Sequence, residues 1–275
     1  MRAPIERAAR LIEAADSLLI TAGAGMGVDS GLPDFRGPEG FWRAYPALKG
    51  AGAKAVGLRF EEIASPHYFR ADPALAWGFY GHRLNLYRAT VPHDGFRLLR
   101  EMARAKPHGC FVFTSNVDGQ FQKAGFDADR LLECHGSIHH LQCLEDCRSS
   151  IWSADEFKPE VDETRCRLTS SAPHCPDCGA IARPNILMFG DRGWNEARTV
   201  QQQARYETWR ADVRSPVVIE LGAGTAIPSA RLFGERQGAP LIRINPDAEA
   251  GERGRILGIP LGALEAVRAM AQALY

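Results

Sequence analysis

A glycine-rich turn near the amino end constrains this chain more than any other segment. Residues 21–37, TAGAGMGVDSGLPDFRG, directly follow the short apolar run 17–20. Glycines allow the backbone to approach a ligand closely, and the amides of such a turn can face a pyrophosphate. The segment therefore predicts a strand followed by a dinucleotide-binding turn. On its own it also fits an ordinary tight turn, because Val28 stands where the usual Rossmann spacing has its third glycine.

Three further apolar runs end in small or polar residues of the kind that bind ligands. They are residues 110–114 before Asn116 and Asp118, residues 130–133 before His135, and residues 216–221 before Gly222. Each ending, taken alone, also fits an ordinary turn and helix cap. Because ligands of open α/β sheets bind at the carboxyl ends of the strands, the endings together predict one shared site.

These apolar runs alternate with helical stretches. Residues 93–105 and 195–212 have helical patterns, and another apolar run covers 241–244. The alternation predicts an α/β fold with a Rossmann-like, doubly wound parallel sheet. Two segments depart from it, at about 38–92 and 139–183, and the second contains paired cysteines.

Composition excludes several classes of function. The chain has 275 residues, enough to bury a sizeable core, and its 33 basic and 33 acidic residues balance. Since no basic cluster appears, we expect no direct nucleic-acid partner. No run approaches the roughly 18 apolar residues of a membrane span, and the first 16 residues mix acids with apolar positions, as an amphipathic helix does. We therefore expect no membrane partner and a soluble, cytoplasmic protein.

The cysteines predict a metal site. Seven cysteines, an odd number, argue for metal or free thiols over disulfides. Cys175 and Cys178 form a CPDCG knuckle, and Cys143 and Cys147 form a second pair. Four thiolates can close a tetrahedral structural zinc site. Alternatively, Cys143 and Cys147 merely share one face of a helix. The other thiols, Cys110, Cys134 and Cys166, are expected to be buried or unremarkable.

In order along the chain, the motifs resemble those of the sirtuins, the Sir2-like NAD-dependent protein deacylases of bacterial type. The matching segments are GAGMGVDSGLPDFRG, TSNVDGQFQKAG, ECHGS, ARPNILMFGD and LIRINPD. The resemblance implies a large Rossmann-like domain of residues 1–37, 93–138 and 184–275. It also implies a small domain with a helical cofactor-loop part, 38–92, and a zinc-binding part, 139–183.

The implied reaction transfers the acyl group of a protein or peptide acyl-lysine to NAD. Its products are nicotinamide, the deacylated lysine and O-acyl-ADP-ribose. A histidine that is neutral near pH 7 can take a proton from a ribose hydroxyl and so assist the transfer. By its motif this base is His135, whereas His139 and His140 are expected to be surface or small-domain residues.

The resemblance also implies the roles of the other site residues. Asn116 would hold a ribose hydroxyl and a water, and Asp118 would accept a hydrogen bond from the nicotinamide carboxamide. Asp34, Phe35 and Arg36 would cover the ribose and phosphate. The implied contacts with NAD are Gly23, Ala24, Gly25, Asp34, Phe35, Arg36, Ser115, Asn116, Asp118, His135, Gly222, Ala223, Gly224 and Asn245.

The sequence departs from the family pattern at several positions. Gly27 and Ser115 replace a serine and a glutamine, Gly222-Ala223-Gly224 replaces GTS, and CxxxC replaces the upstream CxxC. Lost side-chain hydrogen bonds can be replaced by water or backbone, so we expect altered NAD affinity. The substrate strand, with Met188, Phe189 and Gly190, should still bind peptide by strand addition, because that depends on main-chain bonds.

A Tyr-x-x-Arg pair resembles the motif of sirtuins that remove succinyl and other acidic acyl groups. Tyr80 and Arg83 lie three residues apart, on one face of a predicted helix covering residues 72–88. A phenol and a guanidinium can bind a distal carboxylate. Two alternatives stay open: an NAD hydrolase or mono-ADP-ribosyltransferase, and a catalytically silent acyl-lysine binding module.

Overall fold

The computed structural model describes residues 2–33, 41, 43–49, 57–145, 147 and 150–275. Its helices are α1 (Arg2–Ala14), α2 (Pro46–Lys49), α3 (Phe60–Ile63), α4 (Pro66–Ala71), α5 (Pro73–Ala89), α6 (Asp94–Arg104), α7 (Gln120–Lys123), α8 (Ala197–Asp212), α9 (Ser229–Arg236) and α10 (Ala263–Leu274). Its strands are β1 (Ser17–Ala22), β2 (Cys110–Thr114), β3 (Leu131–Glu133), β4 (Gly136–Cys143), β5 (Ile151–Ser153), β6 (Val161–Asp162), β7 (Arg167–Leu168), β8 (Ala182–Ile186), β9 (Pro216–Leu221), β10 (Leu241–Ile244), β11 (Gly251–Arg253) and β12 (Ile256–Ile259).

A seven-stranded sheet forms the centre of the molecule, in the order β11-β12-β10-β9-β1-β2-β3. The pairs from β12 to β3 are parallel, and β11 is antiparallel to β12. All six residues of β1 are buried, as expected for a parallel strand covered on both faces. The prediction of a mostly parallel sheet is confirmed. Strand β1 extends two residues beyond the predicted 17–20, and β3 begins one residue after the predicted start at 130.

Successive side chains of β1 point to opposite faces of the sheet and pack into two different hydrophobic cores. Leu18 and Ile20 pack into a core with residues of α1, α6 and α10, whereas Leu19 packs on the other face with Trp209 of α8 and Ala230 of α9. This period-two alternation is the usual geometry of a strand. The sheet is therefore covered by helices on both faces, as the doubly wound prediction requires.

A third core joins helices α2 to α5 with the small sheets β5-β4-β8 and β6-β7. Helix α5 runs through this core. Asp72 is its N-cap and accepts a hydrogen bond from the Leu75 amide, and Pro73 is the first helical residue. Trp77 donates its indole N–H to the carbonyl of Ala182 on β8, at 3.0 Å. Helix α5 thus links the helical segment to the strands around the cysteines.

Several local predictions need correction. Cys143 ends strand β4, so the alternative in which Cys143 and Cys147 share a helix face is wrong. Helix α8 begins at Ala197, two residues after the predicted start at 195. The loop predicted at residues 51–57 lies outside the described residues except for Gly57. In the described part of the chain, no helix combines the length and the apolar character needed to cross a bilayer.

Candidate functional site

A cavity of about 770 Å³ opens at the carboxyl ends of β1, β2, β9 and β10. The predicted site residues that line it are Gly23, Ala24, Gly25, Tyr80, Arg83, Ser115, Asn116, Asp118, His135, Met188, Phe189, Gly222, Ala223, Gly224 and Asn245. The large and small sheets therefore contribute to one cavity. Gly190 is not part of its lining, and Asp34, Phe35 and Arg36 lie outside the described residues.

Two glycine turns form one wall of the cavity and touch each other. A Cβ on Gly23 would lie 2.8 Å from the carbonyl oxygen of Gly222, and one on Gly25 would lie 2.7 Å from its Cα. Gly222 itself has a φ of 58°, the left-handed region that favours glycine. Asn116 Nδ2 donates to the Gly23 carbonyl at 2.9 Å. The glycines are therefore required for the close approach of the turns after β1 and β9.

Asp118 is a buried carboxyl group inside this cavity. It is 8 % exposed, and its Oδ1 accepts the backbone N–H of Gln120 at 2.9 Å. Burial raises the pKa of Asp118 to about 6, although the Gln120 hydrogen bond and the charge of Arg83 act in the opposite direction. The carboxyl group is therefore ionised at neutral pH and above, and it takes up a proton when the pH falls to about 6.

His135 lies between β3 and β4, where the chain passes from the large sheet to the small one. Gly136 follows with a φ of 77°, and a Cβ there would lie 2.1 Å from the Asn185 carbonyl oxygen, so the turn after His135 requires glycine. Burial lowers the pKa of His135, and a hydrogen bond with the Ser115 backbone partly offsets this. Its ring is consequently neutral near pH 7, and Nε2 lies 3.1 Å from Ser229 Oγ.

Of the two histidines that follow, His139 contacts the Asp118 turn from outside the cavity. His139 Nε2 lies 2.9 Å from the Asp118 carbonyl oxygen, and burial lowers the pKa of His139. Burial also lowers the pKa of His140, to about 4. Both lie on β4 of the small sheet, but His139 is more than a surface residue because it holds the Asp118 turn. Sequence reasoning missed this contact, which joins residues 21 positions apart.

On helix α5, Arg83 lies in an aromatic environment. It is 7 % exposed, and its guanidinium carbon lies 5.3 to 5.7 Å from the ring centroids of Phe79, Tyr80 and Tyr87. Its Nε and one terminal nitrogen donate to Tyr87 Oη at 3.0 and 2.8 Å. Tyr80 is buried, which raises its pKa to about 12. Tyr80, a neutral phenol, and Arg83, a cation, both line the cavity.

The segment after β8 forms the opposite rim. Met188 is buried, whereas Phe189 is 39 % exposed and donates its backbone N–H to the Ala64 carbonyl. Asp191 accepts the Met188 N–H at 3.2 Å and pairs with buried Arg183 at 2.6 Å. The Asp191–Arg183 pair thereby shapes the rim that sequence analysis assigned to peptide binding.

The adenosine side of the predicted site follows β10. Asn245 is buried, and its Nδ2 donates to the Ala223 carbonyl at 3.2 Å, while its Oδ1 accepts the Asp247 N–H at 3.0 Å. Asp247 and Thr225 also line the cavity, and sequence analysis did not name them. The position of Asp247, two residues after the asparagine that follows a strand, could have identified it from sequence as a site residue.

The four predicted metal ligands come together in a separate cluster. The sulfur atoms of Cys143, Cys147, Cys175 and Cys178 lie within 4.8 Å of one another, with two pairs at 3.6 Å. A tetrahedral zinc with Zn–S bonds of about 2.3 Å separates its sulfurs by about 3.8 Å. The spacing therefore fits zinc, and the prediction that the CxxxC pair joins the knuckle is confirmed.

Comparison with known proteins agrees with this geometry. A sequence model described as "Sir2 family" matches residues 23–213. An "NAD-dependent protein deacylase" of Aeropyrum pernix is 30% identical over 244 residues, covering 87% of this chain and 84% of that protein. One of the same name from Aquifex aeolicus is 29% identical over 235 residues, 84% of each chain. A crystal structure of a Sir2 homolog–NAD complex superimposes with a TM-score of 0.69 at 24% identity, covering 98% of this chain and 95% of that one.

Proposed function

Because this chain belongs to the Sir2 family, we propose that it removes acyl groups from lysine side chains of proteins, with NAD as co-substrate. The observation that carries the proposal is the single cavity shared by Asn116, Asp118 and His135 with two glycine turns. Relatives at 29% and 30% identity are named NAD-dependent protein deacylases, and they support the same activity.

The cavity residues fit NAD. The turns at Gly23 and Gly222 approach so closely that a Cβ would clash, which leaves main-chain groups facing the cavity where a pyrophosphate can lie. Asn245 and Asp247 would hold the adenosine ribose beyond that point. Bound NAD supplies an electrophilic ribose carbon when its bond to nicotinamide breaks.

The remaining polar groups have separate tasks at the other end of NAD. Asp118, ionised above its pKa of about 6, would accept a hydrogen bond from the nicotinamide carboxamide. Asn116, held by its bond to the Gly23 carbonyl, would orient a ribose hydroxyl. His135, neutral because burial lowers its pKa, would take the proton of a ribose hydroxyl at a ring nitrogen. Removing that proton makes the ribose oxygen a better nucleophile toward the acyl carbon.

The acyl-lysine would enter between the large and small parts of the molecule. The rim at the partly exposed Phe189 lines the cavity, and it is where we place peptide binding by strand addition. The four thiolates would hold one zinc ion with no open position, so the metal stabilises the small sheet and takes no part in the chemistry.

The acyl group that suits this cavity carries a carboxylate. A neutral phenol and a buried guanidinium, Tyr80 and Arg83, line the same cavity as His135, and together they can bind a distal carboxylate. We therefore propose that succinyl-lysine and similar acidic acyl-lysines are substrates in addition to acetyl-lysine.

The direct test is to incubate the protein with NAD and a panel of acetyl, succinyl and longer acyl peptides, and to identify products by mass. Deacylated peptide together with O-acyl-ADP-ribose is expected. Free ADP-ribose with intact peptide would indicate an NAD hydrolase instead, ADP-ribosylated protein would indicate a transferase, and peptide binding with no product would indicate a binding module.

The variant His135→Ala should lose deacylation by about a hundredfold or more while it keeps its fold, because general-base catalysis contributes on that order. Circular dichroism and thermal unfolding check the fold. The matched control is His108→Ala, at an exposed position before β2, on the opposite edge of the sheet. Full turnover by the His135 variant would remove this residue from the mechanism.

A further inference from the structure

A serine from helix α9 contacts the candidate base. Ser229 Oγ lies 3.1 Å from His135 Nε2, although the residues are 94 positions apart. Ser229 is the first residue of α9, and Pro228, whose side chain has no polar group, precedes it as the N-cap. The Ser229 hydroxyl is directed to the histidine.

Packing determines where α9 places this hydroxyl. The Phe233 ring stacks on Phe113 of β2, with centroids 3.7 Å apart and planes within 11°. Near the other end of the helix, Glu235 pairs with Arg243 at 2.5 Å, and Arg243 also pairs with buried Glu220 at 2.6 Å. The helix is thus attached to strands β2, β9 and β10 at once.

The same packing also positions the second partner of the ring. Phe113 belongs to β2, which ends one residue before Ser115, and the Ser115 backbone interacts with the His135 ring. The ring is consequently held between the end of β2 and the start of α9. A ring with partners on both sides has little freedom to rotate, which fixes the direction of its nitrogen lone pair.

We propose that Ser229 is a positioning residue for His135 that keeps Nε2 directed at the reacting ribose hydroxyl; this inference rests on the proposed deacylase function. A hydroxyl carries one donor and two acceptor lone pairs, so it can serve both protonation states of the ring. In the neutral ring of the free protein, Ser229 donates to Nε2 and so fixes the direction of its single lone pair. The ribose hydroxyl replaces Ser229 as the donor to that lone pair, since Nε2 accepts only one such bond. Nε2 then takes the ribose proton, and the Ser229 oxygen accepts from the new N–H. Ser229 forms no covalent bond and loses no proton.

The test separates this role from a structural one. Exchange of labelled nicotinamide into NAD in the presence of acyl peptide reports cleavage at the ribose, which comes before the base is needed. For Ser229→Ala we expect kcat for deacylation to fall about three- to tenfold, as for one lost hydrogen bond, with exchange and the KM for NAD within about twofold. Ser229→Thr, which keeps the hydroxyl, should retain most of kcat.

A matched control is Ser153→Ala, at the end of β5 away from the cavity, which should change neither reaction. An unchanged kcat in Ser229→Ala would overturn the inference. So would an equal fall in deacylation and exchange that Ser229→Thr does not restore, since that pattern means α9 has moved. Absence of deacylation by the unmodified protein would instead refute the proposed function, because the Ser229 test compares each variant with an active unmodified protein.

Discussion

Replacing Asp118 by asparagine should stabilise the fold while it impairs the enzyme. Burial raises the pKa of Asp118 from 3.8 to about 6. A carboxyl group whose pKa is higher in the folded than in the unfolded state binds its proton more tightly when folded. Its ionisation therefore reduces stability as pH rises from the unfolded pKa through the folded one. A difference of about 2 pKa units corresponds to about 3 kcal/mol above pH 6.

Asparagine keeps the acceptor oxygen that the Gln120 amide uses, at 2.9 Å from Oδ1 in the native protein, and it carries no charge. At pH 8 we expect Asp118→Asn to raise the free energy of unfolding by up to about 3 kcal/mol, or about 6 °C in the unfolding temperature. The gain should shrink below pH 6 and become small near pH 4, because Asp118 is protonated in both states only below the unfolded pKa of 3.8. Deacylation should fall, because the carboxylate that accepts from the carboxamide is gone.

Thermal and urea unfolding between pH 4 and 8 measures this gain directly. The control is Asp155→Asn: the hydrogen bond from Ser153 lowers the pKa of this exposed carboxyl group, so its ionised form favours the folded state. Its substitution should give no gain at pH 8. Destabilisation by Asp118→Asn at pH 8, or a gain that does not depend on pH, would refute the assignment of burial as the dominant effect on Asp118.

Two further predictions concern the acyl side and the metal. Arg83→Met keeps an apolar stem but removes the charge, so kcat/KM for succinyl-lysine should fall about tenfold to a hundredfold while acetyl-lysine loses little; an equal loss on both peptides would mean that Arg83 acts structurally through Tyr87. Purified protein should contain one tightly bound zinc per chain, and a Cys175→Ala/Cys178→Ala variant should lose it and unfold at lower temperature. Cys110→Ala is the control that retains zinc, and metal analysis that finds none in the unmodified protein contradicts the assignment.

Much of the fold could be predicted from residue order. Strands β2, β9 and β10 have the bounds that their apolar runs predict, because strands covered on both faces favour near-continuous apolar runs. The cysteine pairs predicted the metal cluster because short spacing holds two thiolates on the same side of a turn. These features are local, so neighbouring residues suffice to specify them.

The chemical state of the site was decided by tertiary structure. Sequence identified Asp118 and His135, but their pKa values depend on burial, which is produced by elements distant in the chain. Sequence placed Tyr80 and Arg83 on one helical face, yet their burial, which raises the pKa of Tyr80 to about 12, arises only when α5 packs into the molecule. The contact of Ser229 with His135 left no pattern in the sequence at all, because it requires α9 and the end of β3 to meet across the sheet. Residue spacing along the chain cannot predict this contact, because the packing of α9 on the sheet sets the distance between Ser229 Oγ and His135 Nε2.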